Sequence, residues 1–202
     1  MTESDVTVER RAPLVIKGMR ILVARLFEQG VRTTGWWLLN LFCRVVLDRP
    51  LRRLSQVAPG LFVGGQYKAR GKRILERWGI KAVVNLRQEF DDRAAGLAPQ
   101  YYLHLPTIDD QAPTLEDLSA GVKFIHSHIE AGRSVYVHCA SGVGRAPTLA
   151  AAYLVSRGYP VAQAWAIIRR ARPFIRPTAV QYEQVERFAR WWAEHDSASS
   201  FT

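Results

Sequence analysis

Cys139 and Arg145 stand five residues apart, directly behind His138 and around Gly142 and Gly144. A thiol attacks only as thiolate, and its pKa falls beside cations and helix N-termini. A guanidinium grips two oxygens of a phosphate and holds the charge that builds in the transition state. The intervening Ala140, Ser141, Gly142, Val143 and Gly144 suffice for one turn of loop around a tetrahedral anion. His138 can orient that loop and favour the thiolate. A buried small cysteine with an unrelated surface arginine is the plain alternative. It requires the cysteine, the glycines and the arginine to meet at one junction by chance.

That junction is itself legible. Val135 to Val137 is an apolar run that reads as a buried strand. Pro147, Thr148, Leu149 and three alanines open a helix, with proline in the first turn where no amide donor is lost. A strand, a glycine-containing loop and a helix N-terminus converge unpaired N–H groups on one point, an anion cradle.

His138-Cys139-x5-Arg145 resembles the signature of the cysteine-dependent protein tyrosine phosphatase superfamily, in its compact dual-specificity branch. The similarity runs from about Leu54 to Trp192. The family implies an α/β fold, a central mostly parallel sheet flanked by helices, and two-step phosphomonoester hydrolysis through a phospho-cysteine. No metal or organic cofactor is implied. Phosphate cleavage also needs a carboxylic acid on a movable loop to protonate the leaving oxygen. Asp109 and Asp110 are the candidates. Their Asp-Asp-x-Ala-Pro setting resembles the phosphatases of regenerating liver and favours Asp110, which is the expected acid; the lipid-phosphatase pattern would instead favour Asp109. Turn formation before a helix is the plain role for both. Arg87 to Asp92 resembles the acidic loop of the mitochondrial phosphatidylglycerophosphate phosphatases, with Glu89 at the matched position. Asp91 and Asp92 read as solvated loop charges. Most members carry Ser or Thr directly after the signature arginine. This chain has Ala146, as the regenerating-liver group does, where it goes with slow turnover.

The elements around the site follow from periodicity. Gly60–Gly65, Lys81–Leu86 and Tyr101–Leu105 read as strands, and Tyr67–Trp78 as a helix stopped by Gly79. Thr114 caps a helix whose core stripe is Leu118, Val122, Ile125 and Ile129. Thr148–Arg157, Val161–Arg172 and Ala179 to about Ala193 are helical, with Thr178 as the last cap. Arg169, Arg170, Arg172 and Arg176 are candidates for the mouth of the site or for a solvated helix end. His126 and His128 have no spaced partners for a metal.

Ahead of Pro50 lies a helical extension. From Leu14 to Gly30, Val15, Met19, Leu22, Val23, Leu26 and Phe27 share one arc; Lys17, Arg20, Arg25 and Glu28 share the other, with Ile21 the exception. Trp36–Leu47 is apolar except for a stripe of Asn40, Arg44 and Asp48. Neither segment has roughly 20 uncharged residues, so no transmembrane span is expected. Two readings stay open: an amphipathic anchor over residues 14–48 on an anionic membrane surface, or a hairpin packed on the domain. Residues 1 to about 12 and the tail from Ser197 read as disordered, leaving residues 51–196 as the phosphatase domain.

The net charge of +10 favours anionic partners. A phosphorylated lipid or a phosphoprotein is the expected substrate; no nucleic-acid module accompanies the charge. Cys43 and Cys139 make no disulfide framework, and a reactive thiol suits a reducing compartment. The start, Met1-Thr-Glu-Ser-Asp, does not read as a secretory signal. The expected location is cytoplasmic, with peripheral membrane contact under the anchor reading. The substrate readings are a lipid phosphomonoester, a phosphoprotein for a dual-specificity enzyme, or a docking module with an idle cradle.

Overall fold

The computed structural model describes the backbone of residues 14–199 and the side chains of residues 18–195. The expectations for residues 1 to about 12, and for the Val15 and Lys17 side chains, lie outside them. Five strands form one sheet in the order β1-β2-β5-β3-β4: β1 (Gln56–Ala58), β2 (Leu61–Gly65), β3 (Ile80–Arg87), β4 (Tyr101–Thr107) and β5 (Ser134–Cys139). The β2–β5, β5–β3 and β3–β4 pairs are parallel; only β1 runs antiparallel to its neighbour. The expected mostly parallel sheet is the one observed. β1 was not visible in the sequence, because three residues show no period.

Alternate residues of the central strands face opposite layers. Leu61, Val63, Ala82, Val84, Val135 and Val137 pack with α3 (Leu115–Glu130), α4 (Arg145–Ser156), α5 (Val161–Ala171) and α6 (Ala179–Ser199). Phe62, Val83 and Tyr136 point the other way, onto Tyr67 and onto Leu75 of α2 (Ala69–Arg77). Burial on both faces explains why these strands read as nearly continuous apolar runs. It also brings the C-terminal ends of β2, β3, β4 and β5 to one edge. Ligands of parallel sheets sit outside that edge.

Thr114 caps α3 as expected, its hydroxyl accepting from the Asp117 amide at 3.0 Å. Thr178 departs from expectation. Its amide donates to the Gln181 side chain, and its hydroxyl is drawn away to the Asp110 carbonyl at 3.0 Å. α6 runs to Ser199, past the expected fraying point.

The extension is one long element, α1 (Leu14–Val45), broken by non-helical angles at Gly30 (φ 78°). The expected stop is a kink. No helix among the described residues is long and apolar enough to cross a membrane. The polar arc is divided: Arg20 and Glu28 stay in solvent, while Arg25 turns inward. Arg25, on the polar arc, is 4% exposed. Its Nη1 donates to the Phe174 carbonyl (3.1 Å) and to Gln29 (2.8 Å), and its guanidinium lies 4.6 Å from the Trp37 ring centroid. Gln29 donates to the Ile175 carbonyl. The polar stripe after the kink also faces inward. Asn40 is buried, and the Asp48 carboxylate accepts from the Lys68 and Gly71 amides at 2.7 Å each. Asp48 thereby caps α2 from outside its own segment. Apolar side chains are left outside: Met19, Val23 and Phe27 (89% exposed) form a stripe ahead of the kink, and Val31 (78%), Leu38 and Phe42 form one beyond it, with Val46 past the helix end also exposed.

Candidate active site

Each parallel strand delivers one part of the site from its C-terminal end. β5 ends at Cys139, whose Sγ accepts from the Gly142 amide at 3.3 Å. The loop then turns into α4, which begins at Arg145. Gly142 adopts φ +69°, and a Cβ there would stand 2.3 Å from the Gly64 carbonyl. Glycine is therefore required on steric and conformational grounds together. The amides of Ser141, Val143 and Gly144 have no acceptor among the described residues.

Their carbonyls are held from behind. Arg172, fully buried, donates to Gly142 O (2.8 Å), Ser141 O (3.2 Å) and Leu54 O (2.7 Å). The Arg176 amide donates to Val143 O at 2.7 Å. With carbonyls bound outward, the N–H groups turn to the loop centre. Arg172 was expected at the mouth or in solvent; it is the buttress of the loop instead. Burial lowers its pKa to about 10, so it still carries its charge at neutral pH. Arg176 is half-exposed, paired with Glu28 at 2.9 Å.

Arg145 is 1% exposed. Nη1 donates to Thr107 O (2.8 Å) and Glu89 (2.9 Å); Nη2 donates to Glu89 (3.0 Å) and forms an ion pair with Asp109 (2.8 Å). Nε is buried with no partner among the described residues. The edge Nε–Nη2 is the geometry that takes two oxygens of a phosphate. Hydrogen bonding to Arg145 holds the Glu89 carboxyl down at about 2. Burial opposes the charge of Arg145, but Glu89, Cys139 and Asp109 outweigh it and raise the guanidinium pKa.

The two acid candidates separate here. Asp109 reaches Arg145 while remaining open to solvent. Asp110 has positive φ (61°), and its backbone carbonyl is tied to Thr178. The loop is further fastened to α6, where Gln181 donates to Gln111 O and Gln184 to Pro113 O.

Asp92 overturns the solvated-loop expectation. It is completely buried, and Oδ2 lies 2.6 Å from His138 Nε2. Gln66 donates to Oδ1 (2.7 Å) and Tyr67 to Oδ2 (3.3 Å). An ionised Asp92 only accepts, so the proton between them sits on Nε2 of His138. Burial opposes its charge, yet the His138 ring and these hydrogen bonds prevail and lower its pKa. Asp91 stays partly exposed, accepting from Tyr102 at 2.7 Å. The loop carrying Glu89 is shaped by Asn85, also fully buried, which donates to Phe90 O and accepts from the Arg87 amide. Asn85, Asp92 and Arg172 are the residues that sequence reasoning missed. His138 was the one available pointer: a buried imidazole calls for a partner.

Ala146 is buried at the start of α4. The nearest downstream hydroxyl, on Thr148, is engaged with Gly144 O at 3.0 Å.

A family model, the dual specificity phosphatase catalytic domain, matches residues 61–190. Human dual specificity phosphatase 28 is 33% identical over 141 residues, covering 67% of this chain and 77% of its own. The phosphatidylglycerophosphate phosphatase PTPMT2 of Arabidopsis thaliana is 30% identical over 153 residues, 73% of this chain and 67% of its own. The crystal structure of PTPMT1 in complex with PI(5)P superposes with a TM-score of 0.64 at 23% identity, covering 70% of this chain and 97% of that one. That likeness speaks to the fold; the family match, over most of the chain, speaks to its membership. The chain belongs to the dual specificity phosphatase family of cysteine-dependent phosphatases.

Proposed function

We propose that this phosphatase hydrolyses a lipid phosphomonoester, of the phosphatidylglycerophosphate or phosphoinositide type, at an anionic membrane surface. Residues 14–48 would face the membrane and residues 51–196 carry out catalysis. The carrying observation is the orientation of α1, which docks through Arg25, Gln29 and Asn40, is anchored just past its end by Asp48, and turns its apolar stripes outward. A helix that buries Arg25 and Asn40 and exposes Phe27 and Val31 suits an acyl-chain boundary. Past the stripe, Arg49, Arg52, Arg70, Arg73 and Arg77 line a cavity of about 530 Å3. None has a carboxylate within 4 Å among the described residues. Such a cavity attracts anionic head-groups.

In the proposed reaction the Cys139 thiolate attacks phosphorus. The loop amides and the Arg145 Nε–Nη2 edge hold the equatorial oxygens. Asp109 gives its proton to the departing alkoxide, and the P–O bond breaks as P–S forms. Asp109, now a carboxylate, takes a proton from water as it attacks phosphorus, and Cys139 leaves as thiolate.

The test is a phosphate-release panel: phosphatidylglycerophosphate or a phosphoinositide in anionic vesicles, against phosphotyrosyl and phosphoseryl peptides. The lipid is expected to win. Phe27→Asp with Val31→Asp is expected to cut the ratio of vesicle to p-nitrophenyl phosphate hydrolysis by roughly tenfold or more. Faster peptide hydrolysis with an unchanged ratio would instead establish the protein-phosphatase reading, which the likeness to dual specificity phosphatase 28 favours.

Ala146 gives a second expectation. Without a hydroxyl near the sulfur, departure of the thiolate is unassisted, and the phospho-cysteine accumulates. Ala146→Ser should raise the steady-state rate about fivefold, the worth of one modest hydrogen bond. Rapid-quench kinetics should show a burst in the wild type and a smaller one in the variant. Equal bursts would refute it.

A further inference from the structure

Beside the cradle, on the side closed by α1, lies a second cleft of about 330 Å3. Arg44, Lys68 and Arg87 line it, together with Gln66, Ala140 and Ser141. Arg87 is answered by Glu89 at 2.8 Å and by Gln66 at 3.0 Å. No carboxylate lies within 4 Å of Arg44 or Lys68 among the described residues. The Nε of Arg44 is buried without a hydrogen-bond partner among the described residues. A half-buried cation with an unpartnered donor is stable only where an anion can answer it.

The cleft and the cradle share a wall. Ala140 and Ser141 are the first two residues of the loop after Cys139. One oxygen, Glu89 Oε1, accepts from both Arg87 (2.8 Å) and Arg145 (3.0 Å). A single carboxylate therefore separates the cations of the cleft from the guanidinium of the cradle. The arrangement is braced: Asp48 binds the Lys68 amide, and Gln66 donates its side chain to Asp92 while its amide bonds the Ala140 carbonyl. Arg44, in the last turn of α1, and Asp48, just beyond it, come from the extension, so the catalytic domain alone lacks one wall of this cleft.

We propose that the cleft binds a second phosphate group of the substrate, most naturally a phosphodiester a few bonds from the phosphomonoester held in the cradle. The inference rests on the lipid reading for its natural ligand, since a glycerophospholipid monoester carries such a diester and a singly phosphorylated peptide does not. Guanidinium and ammonium groups suit this anion, with Arg44 offering a fork and Lys68 a mobile point charge. The extension then has two tasks: it meets the membrane with one face and reads the substrate with the other.

The experiment uses the full chain and three soluble substrates, with no vesicles. They are glycerol 3-phosphate, the deacylated head-group bearing one diester and one terminal monoester, and the dioctanoyl form of that head-group lipid below its micelle concentration. Both diester-bearing substrates are expected to exceed glycerol 3-phosphate in kcat/KM by roughly tenfold or more, chiefly through KM. Lys68→Gln and Arg44→Gln are each expected to bring that ratio within about threefold of unity, while the charge-matched control Lys81→Gln, exposed on β3, keeps it. Should Arg44→Gln lower the melting temperature, Lys68→Gln decides. A wild-type ratio near unity, or a ratio that survives Lys68→Gln, overturns the proposal. So does a preference for the dioctanoyl lipid alone, because then the acyl chain is being read. Failure of the lipid reading would show separately, in the vesicle panel.

Discussion

Asp109→Asn lowers kcat on an alkyl phosphate by roughly 10²- to 10⁴-fold, the usual worth of a positioned general acid, and Asp110→Asn changes it by less than about threefold. The two residues are adjacent, so the claim turns on direction. Asp109 Oδ1 lies 2.8 Å from Arg145 Nη2, inside the site, whereas Asp110 is held by its own carbonyl to Thr178 at a positive φ. In the proposed reaction an incoming phosphate takes the Nε–Nη2 edge and displaces Asp109 from it, which would set the freed carboxyl beside the oxygen that must leave. Glu89 keeps Nη1 occupied throughout and so fixes the plane of the guanidinium. Proton donation matters most when the leaving group is a poor one. The measurement compares both variants on glycerol 3-phosphate and on p-nitrophenyl phosphate. Asp109→Asn should lose far more on the first than on the second. The opposite pattern, with Asp110→Asn the damaged protein, transfers the role to Asp110.

That distinction was beyond the sequence, and the reason is physical. A helix or strand announces its faces through a period, but the seven-residue loop between β4 and α3 has none. One left-handed residue decides which of two neighbouring carboxylates turns inward. The strand-to-helix junction at Cys139 was legible because its constraints are local: an apolar run, glycine where φ is positive, and proline in the first turn. The same holds for α3, with its cap at Thr114, and for the parallel strands. The orientation of α1 was not legible. Amphipathicity separates the arc of Phe27 from the arc of Arg25, yet it does not say which arc meets the domain. The default places charge in water. Arg25, Arg172 and Asp92 all violate that default, each because backbone carbonyls, amides or a buried partner satisfy it in place of solvent. Those partners lie 149, 30 and 46 residues away in the chain, outside any window a local reading uses.

Asp92→Asn is expected to destabilise the protein by about 3 kcal/mol, the scale of breaking a buried charged pair. The wild-type carboxylate accepts on both oxygens, from Gln66 Nε2 at one and from His138 Nε2 and Tyr67 at the other. An asparagine accepts at only one end. Its amide nitrogen must then face either the Gln66 or the His138 donor, and a buried donor–donor contact has no water to relieve it. His138 loses its fixed setting between Tyr67, whose ring meets it edge-on, and Tyr136, which stacks on it. Since His138 immediately precedes Cys139, a shift there moves the sulfur, and kcat/KM should fall on the order of 10²-fold. The pH dependence carries a separate signature. Asp92 has its pKa lowered in the folded state, so its contribution is complete above the ordinary aspartate value of about 3.9 and is lost as pH falls through the lower folded value. Urea titrations from neutral pH downward should therefore show the wild type losing stability more steeply below about pH 4, with the gap between the two proteins closing. A variant with an unchanged denaturation midpoint and a parallel acid limb would mean that Asp92 is merely buried beside the histidine and holds nothing in place.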